Sequence, residues 1–63
     1  MCLATAYNRK ADNRILCQYV SRIDIDGSKI TLVDVMGAEL VVTGTLVSVD
    51  LVKNEVIIGA AGE

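Results

Sequence analysis

Val20-Ser21-Arg22-Ile23-Asp24-Ile25-Asp26-Gly27-Ser28-Lys29-Ile30-Thr31-Leu32-Val33-Asp34-Val35 is the stretch that decides the fold class. Ile23 and Ile25 fall on one face, and Arg22, Asp24 and Asp26 on the other. Such a period of two marks a strand with one buried face. Asp26-Gly27 then signals a tight hairpin, because glycine takes positive φ at no steric cost. Lys29 to Val35 returns as the partner strand, with Ile30 and Leu32 on one face.

The same signal continues outward on both sides. Toward the C-terminus, Met36-Gly37 marks a turn, Leu40 to Thr43 a short strand, and Gly44 a bulge or sharp bend. Thr45 to Val52 follows with Val47, Val49 and Leu51 on one face; Lys53-Asn54 is a turn and Glu55 to Ile58 the last strand. Ala60 to Glu63 reads as a small-residue tail. Toward the N-terminus, Cys2 to Tyr7 is a short strand, Asn8 to Asn13 a turn or single helical turn, and Ile15 to Tyr19 a weaker extended piece. The expectation is an all-β fold, a small and strongly bent antiparallel barrel of the SH3 or Sm type. It has five to seven short strands and forms one domain over residues 1–63.

Composition narrows the rest. At 63 residues a lone monomer is marginal, and a partner subunit is a usual supplement. Hydrophobic residues are 52% but aromatic ones only 3%, with no Phe or Trp, so the core must be aliphatic. Several strands are apolar on both faces: Val33, Val35, Val41, Leu46, Val52, Val56 and Ile58 exceed what one interior holds. Scattered exposed valines are ordinary on soluble proteins. Here size and surplus together point instead to a two-fold subunit interface. No apolar run reaches the roughly 18–20 residues of a membrane helix. Met1 to Tyr7 does not read as a secretory signal, so the chain is expected to be cytoplasmic.

Histidine is absent, which removes an imidazole base, a Ser–His pair and a His-ligated zinc site. Asp24 and Asp26 share a strand face, but an exposed face running into a turn explains them better than acid–base chemistry. No glycine-rich phosphate loop is present, and the chain reads as a non-enzyme. The alternative function is a small RNA-binding barrel built on Tyr7, Tyr19, Arg9, Lys10 and Arg14. A net charge of −2 makes nucleic acid an unlikely partner.

Metal chemistry centres on Cys2. If Met1 is removed, the α-amine and thiolate of Cys2 form a bidentate chelate. If Met1 stays, its amine and the Cys2 amide nitrogen can join the thiolate. Two such termini on a two-fold axis would give a mixed N/S set, which suits Ni(II) or Cu(II). On this chemistry alone, a small residue opening a strand remains the plainer reading of Cys2. Cys17 reads as a packed thiol. One intrachain disulfide is possible, and a reducing compartment argues against it.

At this point the chain resembles the small CooT-type nickel-binding proteins, accessory factors for carbon monoxide dehydrogenase maturation. The likeness begins at Met1-Cys2-Leu3-Ala4 and continues through Val20-Ser21-Arg22-Ile23, Asp26-Gly27 with Ile30 and Leu32, and Asp34 to Gly37. Gly44-Thr45-Leu46, Val49-Asp50-Leu51 and Asn54 to Ile58 complete it. The resemblance implies a cytoplasmic homodimer of small β-barrels with one nickel ion per dimer. It makes Cys2 the metal ligand, a nickel enzyme such as carbon monoxide dehydrogenase the recipient, and leaves Cys17 without a role.

Overall fold

The hairpin that the sequence announces is present, paired in register from Arg22 with Val33 to Asp26 with Lys29. A computed structural model describes residues 3–61. Its strands are β1 (Ala4–Asn8), β2 (Arg14–Asp26), β3 (Lys29–Asp34), β4 (Glu39–Asp50) and β5 (Glu55–Ala61), with one 3-10 turn over Arg9–Ala11. Asp26 pairs with Lys29, leaving a two-residue loop. Gly27 alone of that loop has positive φ, at 61°, the pattern of a type II′ hairpin turn. Asp24 and Asp26 line the outer face, and Arg22 Nε lies 3.1 Å from Asp24 Oδ2.

All five strands close into one barrel in the order β1-β2-β3-β4-β5. This is the all-β bent barrel expected from the sequence, at the lower end of the strand count. Four neighbouring pairs are antiparallel; the closing seam of β1 with β5 is parallel, from Thr5 beside Glu55 to Asn8 beside Ile58.

The break expected after Tyr19 and the bend expected at Gly44 both lie within continuous strands. Ile15–Tyr19 and Val20–Asp26 are one strand, β2, whose first half pairs with β1 and second half with β3. The register shifts on both sides of Val20, and Tyr19 takes a left-handed φ of 58°. Its carbonyl accepts the Val35 N–H at 3.0 Å, which fixes the bulge. Likewise β4 runs through Gly44, pairing first with β3 and then with β5. Gly44 is there for close approach: a Cβ would run into the carbonyl of Gly59 and lie 2.8 Å from Ala60 Cα. The expected tail is also corrected in part. Ala60 and Ala61 belong to β5, paired with Gly44 and Thr43, and Ala60 is buried.

The core is aliphatic, as the composition requires: Ala6, Val20, Ile30, Leu32, Val42, Val56, Ile58 and Ala60. Val56 and Ile58, counted above as surplus, are core residues, and Leu46 packs against them. The remaining surplus divides: Val33 is half-buried, while Val35, Val41 and Val52 are exposed. Ile25 shares the alternation of Ile23 yet is exposed, because β2 runs on beyond Val20, where the described part of β1 begins. One buried polar side chain joins the core. Asn8 Oδ1 accepts the N–H groups of Lys10 and Ala60, each at 3.1 Å, so it caps the 3-10 turn and ties it to β5. Its Nδ2 has no partner among the described residues.

Candidate metal centre

Cys2 lies outside the described residues, and so does the beginning of the strand expected from it. The structure describes the surroundings of the start of β1. Ala4 is opposite Val20 on β2. On the other side Thr5 runs beside Glu55, and its N–H donates to the carbonyl of Asn54 at 2.9 Å. Asn54 closes the β4–β5 turn with a left-handed φ of 57°. Asp50 shapes that turn, since Oδ1 accepts from Val52 and Lys53, each at 3.0 Å. Those bonds, the Lys53 N–H foremost, hold the Asp50 carboxyl below the ordinary aspartate range.

A groove of about 270 Å³ opens where β1 begins. Its walls are Ala4, Val20, Ile23, Val49, Leu51 and Val56, with Ser21, Arg22 and Asn54 as the polar members. The lining follows from topology. A bulge between Leu46 and Ser48 resets the alternation of β4, so Val49 faces Val56 rather than continuing one face with Val47. Leu51 and Val52 then lie in the turn, 81% and 93% exposed. Large aliphatic side chains that exposed bury little surface in the fold they project from.

Cys17 stands apart from this end. It is half-buried against the core opposite Ala6, and β1 runs from Ala6 back to Ala4, toward Val20. Its Sγ contacts the Gln18 carbonyl at 3.6 Å. Burial first, and then Asp34, pushes its thiol pKa up, which disfavours a thiolate ligand at neutral pH. Among the described residues no three His, Cys, Asp or Glu side chains gather as a metal would require.

The nucleic-acid candidates are dispersed. Arg9, Lys10 and Arg14 are exposed around the 3-10 turn, with Asp12 among them. Tyr7 pairs with Ile15, four positions along β2 from Tyr19. Tyr7 lines a separate depression with Asn13, Glu55 and Ile57. Two tyrosines so placed, one beside a carboxylate, do not form a stacking platform.

The family model described as CO dehydrogenase accessory protein CooT matches residues 1–59. The chain belongs to the CooT family. That match covers all five strands except the last two residues of β5, together with the Met1-Cys2 start. CooT membership carries an accessory role toward carbon monoxide dehydrogenase, and an accessory family agrees with reading the chain as a non-enzyme. No curated protein matches the sequence significantly. Among the described residues no helix is long and apolar enough to cross a membrane.

Proposed function

We propose that this CooT-family protein carries nickel as cargo. Two protomers pair about a two-fold axis, and both Cys2 thiolates bind one Ni(II), with backbone nitrogen completing the set. The dimer then delivers the ion to carbon monoxide dehydrogenase in the cytoplasm. The family match through Met1-Cys2 is the observation that carries this reading.

Geometry supports it in two ways. Cys2 is two residues ahead of Ala4, so it can stand at most about 7 Å from Ala4 along an extended chain. Two Cys2 thiolates can share an ion only if the two β1 starts face each other. The apolar groove at that start, with Leu51 and Val52 beside it, is the surface such a contact would bury. A terminal site near a groove rim also suits a carrier, which must release its ion to the next protein.

Equilibrium dialysis against Ni(II), followed by metal analysis, tests the reading. Wild-type protein should retain one nickel per two chains, and Cys2→Ser should retain none while folding normally. Equal retention by both proteins would contradict it.

A further inference from the structure

Tyr19 is the only bulky residue with a left-handed φ among the described residues. The other non-glycine residues in that region are Asp12, Asn13 and Asn54, short polar side chains in turns that adopt it readily. A tyrosine at φ 58° inside a strand is strained, and glycine would take the same bulge at no steric cost. The ring is not there for the core, since Tyr19 is 62% exposed.

The strained bulge contributes to an apolar edge. The Val35 N–H donates to the Tyr19 carbonyl at 3.0 Å, so the β3–β4 turn starts beside Tyr19. Val35 and Met36 in that turn are 57% and 87% exposed. The turn itself is tied down. Asp34 Oδ1 accepts from the Met36 N–H at 2.8 Å and the Ala38 N–H at 3.0 Å, and the Ser21 hydroxyl donates to the Val33 and Asp34 carbonyls at 3.2 and 3.1 Å. Three large side chains of little use to the core are thus held out on a fixed backbone, which lowers the ordering cost of binding. Aromatic residues and Met are the types enriched at interface centres. The flanks are acidic: Asp34 and Glu39 bracket the turn, residues 30–52 contain no Lys or Arg, and Arg22 lies 3.1 Å from Asp24. The complementary surface is an apolar socket with a basic rim.

We infer that Tyr19, Val35 and Met36 form the knob by which this protein docks on its recipient enzyme, in an apolar socket rimmed by Lys or Arg. None of the three lines the groove at the start of β1. The inference rests on the delivery reading above and adds the surface that recognises the recipient.

Binding to purified nickel-free carbon monoxide dehydrogenase, measured by calorimetry, tests it beside urea unfolding and nickel uptake. Tyr19→Gly should bind the enzyme about tenfold more weakly, the scale of an interface anchor, while unfolding at no lower urea concentration than the wild type. The double variant Val35→Ser, Met36→Ser should lose as much. Ile25→Ser is the control, an equally exposed aliphatic at the far end of β2, and should bind as the wild type does. All variants should take up nickel normally. Equal binding by every variant would overturn the knob and leave the nickel reading standing. So would equal weakening by Ile25→Ser, or a Tyr19→Gly protein that unfolds at lower urea, which would assign the ring to the fold. Knob variants that turn dimer into monomer would also overturn it, by assigning the edge to a second copy. Tighter binding by Glu39→Lys would overturn the basic rim. A wild type that takes up nickel yet does not bind the enzyme removes both docking and delivery.

Discussion

The two ends of the barrel are finished in opposite ways. At the end where β1 stops, the chain closes itself. The 3-10 turn is capped by buried Asn8, the same Oδ1 holds the Ala60 amide, and Gly44 lets β4 press onto Gly59 and Ala60. At the end where β1 starts, aliphatic surface stays open: Val49, Leu51 and Val52 are exposed around a groove. The first end is built of small residues and of backbone amides held by Asn8 Oδ1, the second of large apolar side chains that are exposed among the described residues. In so small a domain the eight core residues complete the interior, so the open end is spare surface that a second copy can use.

The largest effect should come from the closed end. Gly44→Ala places a Cβ against backbone atoms that cannot rotate away, and should cost about 3 kcal/mol in urea unfolding. A tolerated alanine would mean that the strands do not approach as closely as described. Asn8→Ala should cost about 2 kcal/mol by the same measurement, because the Lys10 and Ala60 amides lose their acceptor inside the barrel. At the open end the expectation reverses. Leu51→Asp should leave the protomer's fold within about 0.5 kcal/mol of the wild type, since the side chain is largely exposed. It should instead shift dimer to monomer in sedimentation equilibrium. A variant that stays dimeric would remove the groove as the pairing surface.

The smallest effect concerns pH. The carboxyl of Asp50 is held below its ordinary value by the Lys53 and Val52 amides. A depressed carboxylate pKa adds stability above the unfolded value, near pH 4, and that stability is lost as pH falls through the lower folded value. Thermal unfolding of wild type and Asp50→Asn should therefore run parallel above pH 5 and differ in slope only below it. Parallel curves across the acid range would show that the turn does not depend on the ionised group.

Much of this was legible in the sequence. Alternation at Ile23 and Ile25 with Gly27 behind them defined the central hairpin, because both signals are local. Gly44 was legible as a bend, but Tyr19 misled: it interrupts the period of two, yet a bulge bends a strand without ending its ladder. Ala60 looked like tail because alanine carries little apolar signal, and only its pairing with Gly44 explains the small side chain. Asn8 read as a turn residue; its burial depends on β5, fifty residues away in the chain. The site divides in the same way. Cys2 stood out through its terminal position, donor chemistry and family resemblance. The groove was hidden because Val49 and Leu51 share the spacing of core residues, and only the topology leaves them uncovered.

The central claim is that one metal ion joins two chains through Cys2. Native mass spectrometry of the untagged protein with added Ni(II), beside Cys2→Ser, tests it most directly. The account predicts a wild-type dimer carrying one nickel, and a variant that remains dimeric and carries none. A wild-type dimer without nickel, or a variant that keeps the ion, would contradict it.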